Sequence, residues 1–209
     1  MRLQPCGLEP YYFDDPWSAQ LEGRRGLVVH PVDRTIAEQY TKRTRFFAHP
    51  GILPDFELRT VRAVQGLAGS RPPFDTWFAA LHHMIAQIEL VEFDVALIGA
   101  DAYGLPPAAH VRRSGRTAVH MGGALQILFG IKGRRRDAIP EISRRYDQHW
   151  VRPGRDEQVS GSQSVEGGCH GENLSREPSF IHYGSLSYLC WALQASRILA
   201  KFSGGRHPA

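Results

Sequence analysis

The sequence has little cysteine, and its few cysteines are poorly placed for cross-linking or for holding a metal. The 209 residues include 3 cysteines, at Cys6, Cys169 and Cys190, with no Cys-x-x-Cys pair. An odd number of widely spaced cysteines predicts neither a disulfide framework nor a zinc site. A reducing, cytoplasmic location is the simplest one for such a chain.

Long apolar runs are missing too. The first residues show no apolar core followed by small residues, so no signal peptide is predicted. The most apolar late stretch, residues 183–202, is interrupted by serine, glutamine and arginine, and this argues against a membrane span. The segment "GADAYG" also lacks the G-x-G-x-x-G spacing, so dinucleotide binding has little support.

Neither sign of charge dominates. Lys and Arg total 25 against 21 Asp and Glu. The surplus lies in short arginine runs rather than along one helix face, at residues 24–25, 112–113, 134–136 and 144–145. Such runs favour a small anionic ligand or a basic rim over nucleic acid, and a solvated face is their ordinary alternative.

What the sequence does contain is an alternation of strand-like and helix-like segments. Its length and 42% hydrophobic content suffice for one globular core. Strands are predicted at residues 26–31, 56–65, 93–99 and 117–121, the second with a helix as alternative. Strands that alternate with helices predict an α/β fold, Rossmann-like, with a mostly parallel, doubly wound sheet and flanking helices.

Capping residues predict where the helices begin and end. Asp33 and Asp75 are predicted N-caps, and Gly115 is a predicted C-cap. The predicted helices cover residues 34–47, 76–91, 105–115 and 124–131.

Three regions follow from the pattern along the chain. Residues 1–25 form a lead-in, residues 26–150 an α/β domain, and residues 151–209 an irregular tail. The tail is rich in glycine, serine and charge. A helix is predicted near its end.

Three of the predicted strands end at residues 30–31, 99–104 and 122–123, and the last two of these strand ends contain glycine. In an open parallel sheet the carboxyl ends of the strands share one edge, where the next helices begin with unpaired N–H groups. Glycine lets a ligand approach the main chain there. The sequence therefore predicts an anion site at this edge, with Lys132 and Arg134 downstream as neutralising cations.

These residues also have structural interpretations. The glycines are common turn formers, and Tyr103 packs a helix start as readily as it serves as a platform for a base or sugar. His30 and His120 are candidate ligands or acids, although a hydrogen-bonded structural histidine is the commoner case. Residues 55–57 spell D-x-E but precede their strand, so they are discounted as a metal site.

The segment from residue 93 to residue 133, with its two glycine-bearing strand ends, resembles an uncharacterised bacterial family whose pattern is similar to the GT-D type of glycosyltransferase fold. The likeness extends over residues 8–169. It implies a nucleotide-sugar site, in which the matching positions are Tyr103, Gly104, Gly122, Gly123 and Gln126. Asp101 departs from the pattern, because a small residue is usual there and a carboxylate would lie close to any bound phosphate.

The resemblance leaves two functions open. GT-D proteins carry an acidic D-x-E motif for a divalent ion such as Mn or Mg near the start of the domain, and this sequence shows no equivalent. One function is a glycosyltransferase-like domain, in which Lys132 and Arg134 would neutralise the leaving diphosphate. The other is a module that binds a nucleotide or sugar phosphate without turnover.

Overall fold

A computed structural model describes residues 8–65 and 73–157. In this part of the chain, four strands form one all-parallel sheet in the order β2-β1-β3-β4. They are β1 (Arg25–His30), β2 (Glu57–Arg62), β3 (Val95–Ile98) and β4 (Thr117–His120). The predicted α/β class with a parallel, Rossmann-like sheet is confirmed.

Six α-helices accompany these strands in the described ranges. They are α1 (Asp33–Tyr40), α2 (Trp77–Glu89), α3 (Leu105–Arg113), α4 (Ala124–Leu128), α5 (Arg134–Asp137) and α6 (Pro140–Ser143). Short 3-10 segments include Asp101–Tyr103 after β3 and Arg155–Glu157 near the end of the described chain. None of the described helices is long and apolar enough to cross a membrane.

The register of the sheet brings three strand ends to one edge. Val29 of β1 aligns with Val61 and with Ile98, and Ile98 aligns with His120 of β4. Because all the strands are parallel, the segments that follow β1, β3 and β4 leave the sheet side by side. The topology thus brings together the three predicted strand ends, at residues 30–31, 99–104 and 122–123.

Both faces of the sheet are covered, which explains why its central strands are almost wholly apolar. Leu27 and Val29 pack in one cluster with residues of α2 and α3. Val28 and Leu97 pack in a second cluster with residues of α1 and α4. The helices that follow the neighbouring strands β1 and β3 therefore lie on opposite faces, and the loops that lead to them diverge at the point where ligands bind in such folds.

The start of α2 differs from the prediction. Its N-cap is Thr76, whose side-chain oxygen accepts a hydrogen bond from the N–H of Ala79 at 3.0 Å. Asp75 lies one residue too early to make that bond. Gly115 terminates α3 as predicted, but it is the residue after the C-cap Ser114, with φ 83° and a bond from the N–H of Arg116 to the carbonyl of Val111 at 3.2 Å.

All four predicted helices are shorter than predicted, and α1 differs most. Asp33 is the first residue of α1 rather than its cap, and the helix ends at Tyr40. The Tyr40 hydroxyl is anchored there, donating to the carbonyl of Phe56 at 2.8 Å and accepting from its N–H at 2.7 Å. Helix α4 stops at Leu128 because Gly130 adopts φ 67°.

Residues on both sides of the predicted α/β domain pack on the same core. Tyr11 and Leu21, before the domain, belong to the cluster that contains Val28, and Val151, after it, packs against the same cluster. Val151 also pairs with Ile131 in an isolated parallel bridge. The domain boundaries stay a prediction. The predicted terminal helix lies outside the described residues.

Candidate functional site

The candidate site lies where β1 and β3 end. His30, the last residue of β1, is buried, and its Nδ1 accepts a hydrogen bond from the N–H of Val32 at 3.2 Å. A Cβ placed on Gly99 would lie 2.6 Å from Cδ2 of His30 and 2.8 Å from the carbonyl oxygen of Gly122. Glycine is therefore needed at position 99 so that the three strand ends can meet.

The turn after β3 holds an unusual backbone conformation. Asp101 has φ 42°, and it is the one non-glycine residue with positive φ in the described ranges. Aspartate tolerates this region better than most residues, at some cost in conformational energy. Backbone strain of this kind clusters at ligand sites. The side chain of Asp101 is exposed at the same edge as the glycines.

Of the two interpretations of Tyr103, the structure favours packing at a helix start. Tyr103 is buried, and this burial raises the pKa of its hydroxyl. Its ring stacks on the indole of Trp77, with centroids 5.1 Å apart and planes 9° from parallel. Trp77 keeps 39% of its surface exposed, so the accessible aromatic surface belongs to a residue that the sequence analysis did not single out.

Gly104 serves packing between β4 and the start of α3. A Cβ at this position would overlap the imidazole of His120. Burial lowers the pKa of His120, which favours the neutral ring. Pro106 and Pro107 lie in the first turn of the next helix and have no backbone N–H, so α3 offers an anion fewer donors than predicted.

The Gly122–Gly123 pair is the open part of the edge. A Cβ on either residue would meet no atom within 4 Å. Gly122 has φ 55° and Gly123 is the N-cap of α4. The N–H groups of Ala124 and Leu125 bond back to the carbonyls of Met121 and Gly122, each at 3.2 Å. A ligand can approach the backbone closely at these two glycines.

The remaining predicted residues lie on the α4 side of the site. Gln126 is buried, and a Cβ on Gly133 would overlap its side-chain amide. Lys132 places its Nζ 5.5 Å from the ring centroid of Tyr146, and Arg134 begins α5. Gln126 thus holds the Lys132–Arg134 segment against α4, which is a supporting role within the core.

A buried carboxylate occupies the start of α1. The side chain of Glu157 is only 2% exposed, and it accepts hydrogen bonds from the N–H of Arg34 at 2.9 Å and the N–H of Thr35 at 3.2 Å. It also accepts from the Thr35 hydroxyl and pairs with the Arg62 guanidinium at 3.2 Å. The chain's own carboxylate thus fills the helix start next to β1, where the sequence predicted room for an anion.

Sequence patterns could not reveal that pairing. Glu157 lies more than a hundred residues from Thr35 in the chain, at the point where the regular alternation has ended. Trp77, by contrast, carried a usable signal, because it follows the cap of a helix whose start lies at the carboxyl edge of the sheet.

The discounted D-x-E segment lies at the other edge. Asp55 pairs with Arg43 at 2.9 Å, and Glu57 begins β2 and pairs with Arg59. Within the described ranges, no group of three or more His, Cys, Asp or Glu residues is placed to hold a metal ion.

The chain matches no family model, no curated protein and no solved structure. Its class therefore rests on the fold and the edge geometry. It is an α/β protein with an all-parallel, Rossmann-like sheet, and its candidate ligand site lies at the carboxyl ends of β1, β3 and β4.

Proposed function

We propose that this protein binds a nucleoside diphosphate sugar at the carboxyl edge of its sheet, as a glycosyltransferase-like domain. The observation that carries the proposal is the open pair Gly122–Gly123 beside the end of β3. Diverging loops at the end of β1 and β3 create the crevice in which such folds place ligands. A diphosphate over the two glycines would meet main-chain N–H groups without a side chain in the way.

Glycosyl transfer would need charge neutralisation at the departing diphosphate. The acceptor hydroxyl attacks the anomeric carbon, the bond from that carbon to the diphosphate oxygen breaks, and the hydroxyl proton goes to a base. Lys132 and Arg134 are the proposed cations, because Gly133 between them packs against the side chain of Gln126, in the first turn of α4 after Gly123. The described residues offer no three-ligand cluster for Mn or Mg, so no step is assigned to a metal.

The second candidate is a module that binds a nucleotide or sugar phosphate without turnover. Two carboxylates favour it, because Asp101 is exposed at the edge and Glu157 fills the start of α1. Negative groups at these points lower the attraction for a highly charged diphosphate. Measuring the consumption of sugar nucleotides in the presence of manganese separates the candidates, since a pure binding module shows affinity and no turnover.

Substitution of Gly123 tests the site itself. In Gly123→Val, the new side chain has room in the free protein but stands where the diphosphate must approach. The fold should survive, and calorimetric titration should show at least about tenfold weaker binding of uridine diphosphate, equivalent to about 1.4 kcal/mol.

Gly115→Val is the matched control, because Gly115 has φ 83° and ends α3 at the opposite edge of the sheet. It should lower stability through its backbone conformation and leave the affinity of the folded protein unchanged. If Gly123→Val binds uridine diphosphate as tightly as the parent and Gly115→Val binds it more weakly, the site is not at the carboxyl edge and the proposal is wrong.

A further inference from the structure

Exposed aromatic and apolar side chains gather beside the candidate site. Trp77 is 39% exposed, Phe78 65% and Leu105 57%. Trp77 and Phe78 begin α2, which leads into β3, and Leu105 begins α3, which follows it. In a parallel sheet both helix starts lie at the carboxyl edge, so these side chains lie at the same edge of the sheet as the glycines.

The aromatic rings there are held in a fixed arrangement. Trp77 lies parallel to the buried ring of Tyr103, 5.1 Å away, and perpendicular to Phe78, with centroids 5.2 Å apart. Tyr103 is itself followed directly by Gly104, which is packed against His120. The indole is therefore oriented before any ligand arrives, which lowers the entropy lost on binding.

We infer that Trp77 is the stacking surface for the planar base of the nucleoside, with Tyr103 as the ring that supports it. The inference rests on the proposed function and adds the recognition of the base to it. A large aromatic surface left in water gains by covering a flat ring. Base stacking on aromatic side chains tolerates any base, since every base has a π-face.

The arrangement also divides the ligand between two parts of the edge. The open glycines after β4 would take the diphosphate, and Trp77, at the start of α2, would take the base. Tyr103 and Gly104 belong to the segment between β3 and α3 that joins the two parts. The two halves of the ligand can therefore be tested separately.

The test is calorimetric titration of uridine diphosphate and of inorganic pyrophosphate into the parent chain and three variants. Trp77→Leu should weaken uridine diphosphate binding at least about tenfold and leave pyrophosphate binding unchanged. Trp77→Phe keeps a ring and should lose much less. Leu90→Ser is the control, because Leu90 is 78% exposed at the opposite end of α2, and it should change neither affinity.

A second measurement covers the case in which Trp77→Leu fails to fold. The chain has 4 tryptophans, and all of them contribute to the fluorescence. The contribution of Trp77 is obtained by subtracting the ligand-induced change in Trp77→Phe from that in the parent. Saturating uridine diphosphate should quench the parent and leave Trp77→Phe nearly unchanged. Equal quenching of both proteins would overturn the inference.

The outcomes distinguish this inference from the proposed function. If the parent and Trp77→Leu bind both probes equally, Trp77 is not the stacking surface and the glycine site still stands. If the parent binds neither probe, both ideas are overturned. If Trp77→Leu instead dissociates a dimer seen by sedimentation and keeps its affinity for uridine diphosphate, the surface joins two copies of the chain and the inference is wrong.

Discussion

The two edges of the sheet differ in how deeply they bury their carboxylates. At the amino edge, Arg25 pairs with Asp94 at 2.8 Å and with Glu92 at 3.0 Å, and all three side chains are substantially exposed. At the carboxyl edge, the Glu157 carboxylate is buried against the start of α1 and Arg62. The carboxylates thus differ, because those of Asp94 and Glu92 stay in solvent while that of Glu157 is buried, although the arginine partner is partly exposed at both edges.

The two edges also differ in backbone conformation and in exposed aromatic side chains. The carboxyl edge contains Asp101, the one non-glycine residue with positive φ in the described ranges, and the exposed Trp77. Glycines with positive φ occur at both edges, with Gly23 and Gly115 at the amino edge. Exposed ion pairs contribute little to stability because water and salt screen them. Strain and exposed aromatic surface are costs that a folded protein retains at sites of binding. The contrast between the edges therefore supports the proposal that ligands bind at the carboxyl edge.

The largest effect is expected from Glu157→Gln. The change removes a buried negative charge from main-chain N–H groups, the Thr35 hydroxyl and Arg62. Urea unfolding should show a loss of roughly 3 kcal/mol in the free energy of unfolding. The exposed Glu22→Gln is the control and should change little. Equal stability of the two variants would show that Glu157 does not anchor the edge.

A smaller loss is expected from Gly104→Ala. The added methyl group would overlap the imidazole of His120 and force it to move. Thermal and urea unfolding should show a loss of about 2 kcal/mol. Gly123→Ala adds the same methyl group into open space and should be close to neutral. If Gly104→Ala is as stable as the parent, the imidazole of His120 can move away from the added methyl group at no cost, and the packing between Gly104 and His120 is not tight.

The pH dependence of stability should contain a contribution from His120. Burial lowers the pKa of this imidazole in the folded protein, so the unfolded chain binds the proton more readily. As pH falls from about 7 through the unfolded pKa of about 6.5, the folded state loses stability relative to the unfolded state. His120→Gln should flatten this part of the curve. An unchanged curve in that variant would assign the dependence to other groups.

The smallest effect is expected from Asp94→Asn at the amino edge. Hydrogen bonds from Arg25 hold the pKa of Asp94 below its usual value, so its contribution is present above the unfolded pKa and is lost as pH falls through the folded pKa. The variant should be slightly less stable than the parent at neutral pH in low salt. The difference should shrink in high salt and in acid. A large, salt-independent loss would contradict the contrast between the edges.

The sequence predicted the sheet because its signals are local. The apolar run of β3 and the glycine at position 115 determine a strand and a helix end through their immediate neighbours. The prediction of an N-cap was wrong where two candidate capping residues are adjacent, as at Asp75 and Thr76. The choice there depends on which oxygen reaches the helix N–H.

The candidate site was predictable in outline and not in its contacts. Parallel topology places residues 30, 99–104 and 122–123 at one edge whatever their side chains do. The burial of Tyr103, the exposure of Trp77 and the pairing of Glu157 with α1 depend on contacts between distant segments. No spacing in the sequence encodes such contacts.

Hydrogen–deuterium exchange with and without uridine diphosphate tests the central claim most directly, because it compares the two edges in one experiment. We expect slower exchange at residues 99–105 and 121–126 when the ligand is present, with unchanged exchange at residues 55–57 and 92–94. Protection of the amino-edge peptides by the ligand, or an equal ligand-induced change in exchange at both edges, would contradict the proposed site.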